Sequence, residues 1–434
     1  MTITGRAAGL AFAGVVAVLL SPAPGATLLL VDAALVLAVV VDVVLAGGVR
    51  TLEFTRSGPT QARLGEPVPL VLAVTNTGRR KVRALVRDAW PPSSGVTPRV
   101  LRLTVPAGQR RFGEVVLHPT RRGDRHPYRI TVRSLGPLGI AGRQGRHHAP
   151  FQVRVLPAFP SRRQLPVVFA RLQEIEGNVT LRISGQGSEF DSLRDYVPGD
   201  DVRMIDWRAS ARHGTLAVRS LRPERDRRVI CVLDTGRTSA GRIGDAPRLD
   251  HAMDAALLLA TVAARAGDRV GLLAHDSTAR VTLPVAGGGN PMVRMSAAMA
   301  LVEPVLAEAD HQAIASAVLR AAGRRCLVVL FTELAPAVVE EGLLPALPAL
   351  PALTARHTVV VAAVSDPRLT ELAAGRGDVR AVYSAAAAGQ TLLRRNQLAG
   401  LLRGRGAHVV DAPPATYAAA VTDVYLALKS TGGL

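Results

Sequence analysis

Carboxylates and guanidinium groups are densest between Gly187 and Glu224. There Arg194, Arg203, Arg208, Arg212 and Arg219 alternate with Asp191, Asp195, Asp200, Asp201, Asp206 and Glu224. Leu193, Tyr196, Val202, Ile205 and Trp207 are interleaved with them as expected buried positions. Arginine pairs with carboxylates through a planar fork, so this alternation can lock an irregular segment in place. Pro198-Gly199 reads as a turn, with Gly199 at a positive φ. Two uses fit: a partner or ligand surface built of paired charges, or a self-satisfied clasp joining the preceding domain to the next. Catalysis by paired carboxylates would need a nucleophile or base beside them. No Ser, Cys or His arrangement of that kind accompanies these acids, so the chain reads as a non-enzyme.

The run Arg194-Asp195-Tyr196-Val197-Pro198-Gly199-Asp200-Asp201-Val202-Arg203, followed by Ile205-Asp206-Trp207-Arg208 and Ala211-Arg212, resembles the hallmark of domain-of-unknown-function family 58. That resemblance implies two N-terminal membrane spans, a β-rich segment, this motif and a von Willebrand factor A-like domain. It also implies a MoxR-type AAA+ ATPase as partner. The family has no established biochemical activity.

The elements after the motif agree with a doubly wound α/β domain. Apolar strand runs at 229–233, 270–274, 281–285, 326–331, 357–364 and 407–410 alternate with helical patterns at 249–266, 292–301 and 314–319. Such alternation predicts a mainly parallel sheet with sites at the carboxyl ends of its strands. The order is similar to a von Willebrand factor A domain. The resemblance implies a metal-ion-dependent adhesion site, D-x-S-x-S after the first strand, a loop Thr and an Asp after the fourth strand. Here Asp234 and Thr238 match, Gly236 replaces the first Ser, and Glu333 stands in place of the Asp. Oxygen ligands of this kind suit Mg²⁺. The alternative is a degenerate site whose Asp234 caps a turn and pairs with an arginine. Cys231 and Cys326 fall in apolar runs of neighbouring strands and are expected as reduced, buried thiols.

Elements upstream must carry this machinery. The chain has 434 residues and a formal charge of +19. Of that excess, residues 50–165 hold 22 basic against five acidic residues, a net +17. Short alternating runs at 69–75, 82–86, 100–105, 111–117 and 128–132, separated by turn signals, predict a β-sandwich with arginine on its solvated face. Three partners compete for that charge: anionic lipid, nucleic acid, or none. Aromatic residues make up only 3% of the chain, which leaves little for base stacking. Loop histidines at His147-His148 have no acidic or thiol neighbour to complete a metal site.

Residues 7–20 and 26–46 are apolar apart from Thr27, Asp32 and Asp42, and a Ser-Pro-Ala-Pro-Gly turn joins them. They read as a transmembrane hairpin, with a signal peptide as the rival. Arg6 before it and Arg50 and Arg56 after it place both ends in the cytoplasm, below the cell membrane. Asp32 pairs with a partner helix or reaches headgroups; Asp42, near the end, is expected to reach headgroups.

The expected organisation is therefore multidomain: a hairpin at 1–49, a basic β-sandwich-like domain at 50–165, the signature segment at 166–227 and an A-like domain at 228–434. The expected function is a membrane-anchored adaptor or scaffold that docks an AAA+ ATPase of MoxR type in complex assembly or cell-envelope processes. An anionic membrane surface is the second partner, and nucleic acid is not expected. The alternatives are a metal-dependent adhesion or hydrolase protein using the A-like site, and a nucleic-acid binder using the basic segment.

Overall fold

In the computed structural model the chain divides into two units, Met1–Leu156 and Pro157–Leu434. The described residues are 1–182, 189–198, 202–222, 227–323, 325–343 and 356–431.

The first unit begins with the two-residue strand β1 (Thr2–Ile3), then α1 (Gly5–Leu20) and α2 (Pro24–Leu45). Pro24 at the first turn of α2 costs no hydrogen bond there. The two helices approach closely at Gly14, where a Cβ would lie 2.4 Å from Val31 Cγ1. Helix α2 is long and apolar enough to cross a membrane; α1, with 16 residues, is apolar but shorter.

Strands β2 (Leu52–Ser57), β3 (Gln61–Arg63), β4 (Val68–Asn76), β5 (Val82–Ala89), β6 (Leu101–Val105), β7 (Arg110–Leu117), β8 (Gly123–Arg125), β9 (Arg129–Leu135), β10 (Ala141–His147) and β11 (Val153–Leu156) follow. They form three sheets, in the orders β1-β10-β9-β5-β6, β2-β4-β7 and β3-β11-β8. Period-two alternation sorts their side chains: Val82, Ala84 and Val86 of β5 are buried while Arg83 and Arg87 are exposed. Inward residues of the sheets, among them Leu70, Leu72, Val86, Val115 and Val132, share one core. A buried ion pair, Arg56 Nη2 to Asp88 Oδ1 at 2.6 Å, sits at its edge, and Trp90 Nε1 donates to Asp88 at 2.9 Å.

The second unit opens with α3 (Leu165–Arg182), then β12 (Glu189–Asp195), α4 (Trp207–His213) and β13 (Ala217–Arg222). Next come β14 (Arg228–Asp234), β15 (Arg242–Ile243), β16 (Ala246–Pro247), α5 (Arg248–Arg265), β17 (Arg269–His275), β18 (Ala279–Ala286), α6 (Pro291–Met299) and α7 (His311–Ala322). The chain ends with β19 (Leu327–Phe331), β20 (Thr358–Val364), α8 (Pro367–Ala373), α9 (Val379–Gly404), β21 (His408–Ala412) and α10 (Pro414–Ser430). A six-stranded sheet runs β18-β17-β14-β19-β20-β21. It is parallel except for β18, which is antiparallel to β17.

Helices cover both faces, which is why its central strands read as unbroken apolar runs. Val229, Cys231 and Leu233 face one core with Met253 and Leu257 of α5 and Tyr425 of α10. Ile230 and Val232 face the other, with Ile314 and Val318 of α7 and Leu398 of α9. Strand order reverses between β14 and β19, which makes the carboxyl ends of these strands the switch-point position of the sheet.

The unit boundary differs from the sequence-derived one at residue 165. Phe159, Val168 and Leu172 belong to the α/β core, so residues from Pro157 onward pack with the second unit. The hairpin likewise belongs to the β unit rather than standing apart. Both cysteines are free and buried, and burial pushes each thiol up to about 12.

Candidate functional site

Asp234 ends β14 at the switch point and is 2% exposed. Its Oδ1 accepts the Gly236 N–H at 2.8 Å, and its Oδ2 accepts the Thr332 hydroxyl at 2.5 Å. Space at Gly236 is tight. A Cβ would lie 3.0 Å from Ala309 and 3.1 Å from Asp234 Oδ1. The serine of the adhesion-site pattern would therefore be crowded.

Asp310 and His311 stand at the start of α7. Asp310 caps α7 by accepting the Ala313 N–H at 2.8 Å. His311 Nε2 then lies 3.9 Å from Asp234 Oδ2. Both His311 ring nitrogens are buried. Burial lowers its pKa, against the opposing pull of the Asp234 and Asp310 charges.

Thr238 sits in the 3₁₀ turn Arg237–Ala240. With Asp234, Ser239, Arg248, Thr332, Glu333 and Tyr417 it lines a small cleft of about 20 Å³. Glu333 does not face a vacant ligand position. Arg395 Nη1 bonds its Oε1, and Arg248 Nε lies 2.7 Å from its Oε2. Arg395, 5% exposed, also grips Asp411 through Nε at 3.2 Å and Nη2 at 2.8 Å. Nearby, Thr235 donates to Asp276 at 3.1 Å, and Arg280 Nε holds the same carboxylate at 2.6 Å. Burial opposes the Asp276 charge, but Arg280 and the Thr278, Thr235 and Ser277 donors outweigh it and hold this carboxyl below the usual range.

These residues do not fit a divalent cation. Asp234 is occupied by two internal donors, and Glu333 by two guanidinium groups that already neutralise it. Among the described residues no group of three or more His, Cys, Asp or Glu is spaced to hold a metal. Arg248 and Arg395 lie in α5 and α9, and no local pattern in the sequence pairs them with Glu333. Their shared carboxylate appears only once α5, the β19 end and α9 converge.

The signature segment forms a second cluster. Strands β12 and β13 pair antiparallel, with Arg194 opposite Val218 and Asp195 opposite Ala217. Asp206 caps α4: its Oδ1 accepts the N–H groups of Arg208 at 3.1 Å and Ala209 at 3.0 Å. Ser210 Oγ donates to the Asp206 carbonyl at 2.8 Å and accepts the Ala217 N–H at 2.9 Å, tying α4 to β13. The Tyr196 N–H donates to the Leu216 carbonyl at 2.8 Å. Thr215 donates to Asp195 Oδ1 at 3.3 Å. Pro198 ends the stretch after β12; Gly199, Asp200 and Asp201 lie outside the described residues.

The expected burial fails for three of the five apolar members: Trp207 is 68% exposed, and Leu193 and Val202 are exposed with it, while Tyr196 and Ile205 are half-buried. A two-stranded ribbon with a seven-residue helix has too little of a second layer to cover them. Arg203, Arg208 and Arg212 of the same segment are exposed as well.

Residues 192–397 match the family described as Protein of unknown function DUF58. The DUF58 match starts in β12 and ends in α9, so it contains most of the signature ribbon and Asp234, Thr238, Glu333 and Arg395, while Asp411 and Tyr417 lie beyond it. The chain is 30% identical over 193 residues to the uncharacterized protein Rv1480 of Mycobacterium tuberculosis and to Mb1516 of Mycobacterium bovis. That alignment covers 44% of this chain and 59% of each relative's own length. Among solved structures, the conserved hypothetical protein BatB from Bacteroides thetaiotaomicron aligns with 46% of this chain and 98% of its own, at 16% identity and a TM-score of 0.29. The CARDB domain of PF1109 from Pyrococcus furiosus aligns with 24% of this chain and 87% of its own, at 16% identity and a TM-score of 0.18.

Proposed function

We propose that this chain is a non-enzymatic adaptor, anchored in the cell membrane by α1 and α2, whose DUF58 region docks a protein partner. The observation that carries the reading is the exposure of Trp207, a large apolar side chain, in a segment where Arg203, Arg208 and Arg212 are exposed too. Tryptophan and arginine dominate the energetics of protein interfaces, and an apolar patch rimmed by charge marks such a surface. Asp195 and Asp206 shape the ribbon that presents it. The von Willebrand factor A-like reading of the sheet adds a second docking position at the Asp234 end of β14. The family-58 resemblance supplies the partner's class, a MoxR-type AAA+ ATPase. Arg6, Arg50 and Arg56 flank the hairpin and favour a cytoplasmic β unit and DUF58 region.

The test is crosslinking of the full chain in its own cells, detergent extraction and identification of co-purified ATPases. Recovery of an AAA+ ATPase with the wild type, lost with Trp207→Ala while the variant keeps its thermal transition, is the expected result. No ATPase in the wild-type eluate, or equal recovery with the variant, would overturn the reading.

A further inference from the structure

The foot of the apolar hairpin is ringed by cations. Arg143 Nε donates to the Val43 carbonyl at 3.0 Å, and Arg80 Nη1 donates to the Val44 carbonyl at 2.9 Å. These are last-turn carbonyls of α2, which have no partner within the helix. Arg83 Nη1 reaches the Pro137 carbonyl at 3.4 Å, in the loop that packs under the same helix end. Arg6, in the first turn of α1, stands beside Gly139 of that loop, 3.0 Å from where a Cβ would be. The Lys81 carbonyl abuts Gly47 just beyond α2, 2.6 Å from a Cβ placed there. All five cations are exposed. The acid at this place, Asp42, is buried and spent on three backbone N–H groups. Leu138, in the same loop, is exposed.

We propose that Arg6, Arg80, Lys81, Arg83 and Arg143 form a collar that binds anionic lipid headgroups. The chemistry matches on both sides. Guanidinium forks suit phosphate oxygens. The collar also lies where the apolar helices leave the β unit, the depth at which headgroups surround an inserted helix. Basic clusters directly beside a membrane helix select anionic lipid. The inference rests on the hairpin being inserted in a bilayer and is independent of the protein partner.

The test uses the full chain in neutral detergent, mixed with equal amounts of phosphatidylglycerol and phosphatidylcholine, with retained lipids counted by native mass spectrometry. The expected result is enrichment of phosphatidylglycerol, falling about fivefold for each cation removed. Because Arg80 and Arg143 also hold the helix end, two variants are needed. Arg6→Gln/Lys81→Gln removes charge without touching those bonds and should lose enrichment; Arg80→Lys/Arg143→Lys keeps the charge and should retain most of it. Equal retention of both lipids by the wild type would overturn the proposal. So would undiminished enrichment in Arg6→Gln/Lys81→Gln, or displacement of the lipid by short duplex DNA at physiological salt. Recovery of an ATPase does not enter this measurement, so the two readings fail separately.

Discussion

Asp42 Oδ2 accepts the Ile140 N–H at 2.8 Å, joining the end of an apolar helix to the β9–β10 loop. The same oxygen accepts the Ala141 N–H, and Oδ1 accepts that of Leu138, each at 2.8 Å. Asp42 therefore does not reach headgroups, as its place near the end of the span had suggested; it is a buried clamp. Gly136 makes room for it, since a Cβ there would lie 2.0 Å from Asp42 Oδ1. Asp32, ten residues earlier in α2, is exposed.

Removing that clamp leaves three N–H groups of the loop without their acceptor. Asp42→Ala should cost about 2–4 kcal/mol, because an orphaned buried donor loses its full desolvation energy. Thermal unfolding in detergent, followed by the fluorescence of buried Trp90, reads the loss. Gly136→Ala should give a loss of similar size. A transition unchanged in both variants would show that the loop holds its shape without Asp42.

Asp206 is a helix cap before it is anything else. Asp206→Ala should cost about 1 kcal/mol, the usual penalty for losing such a cap. The loss should be local. Amide exchange across Trp207–His213 should accelerate, while the strands of the six-stranded sheet keep their protection. Asp206→Asn, which preserves the acceptor, should restore most of the protection.

Much of the α/β unit was legible because its strands are buried on both faces. Runs such as Val229–Leu233 and Thr358–Val364 carry their own signal, and the expected strands at 270–274 and 281–285 fall inside β17 and β18. Strand β10, Ala-Gly-Arg-Gln-Gly-Arg-His, was missed because it has no apolar alternation. Its ladder to β9 and its contact with α2 place it instead. At the candidate site Asp234, Thr238 and Glu333 do converge on one cleft, but which partner each carboxylate takes was not legible. Glu333 is decided by Arg248 and Arg395, whose side chains arrive from distant helices. Trp207 misled for the opposite reason: its type predicts burial, and only the thinness of the ribbon leaves it exposed.

Arg395 links two carboxylates, so its loss should be expensive. Arg395→Met leaves Asp411 without this guanidinium and Glu333 with Arg248 alone. Breaking one side of a buried ion pair costs about 3–5 kcal/mol. Glu333→Gln/Arg395→Met should recover part of that, giving a coupling of at least about 1 kcal/mol in a double-mutant cycle. Additive losses would mean that the two groups act independently.

His311 gives the switch point a pH dependence of defined sign. Burial lowers its pKa below the ordinary value of 6.5, so the folded state binds its proton less readily than the unfolded chain. Its contribution is intact above the unfolded pKa. Stability then falls as pH drops below about 6.5, by up to ~1.4 kcal/mol per pH unit for one proton, until the folded pKa is passed. His147, His251 and His357, also lowered first by burial, add slopes of the same sign. His311→Leu should flatten the decline in melting temperature between pH 7 and 5 without abolishing it. An unchanged slope would remove His311 from the account.

The occupation of Asp234 and Glu333 by internal partners leads to a metal prediction. Binding Mg²⁺ would require the Thr332 hydroxyl to leave Asp234 and at least one arginine to leave Glu333. Either move exposes an unpaired buried group, whose energy the ion would have to offset. Millimolar Mg²⁺ should therefore leave the melting temperature of the chelator-treated chain unchanged. Calorimetry should likewise register no binding isotherm. A rise in melting temperature with Mg²⁺ that disappears in Asp234→Ala would reverse the conclusion, and would make a divalent ion, rather than the paired arginines, the group around which Asp234, Thr238 and Glu333 are arranged.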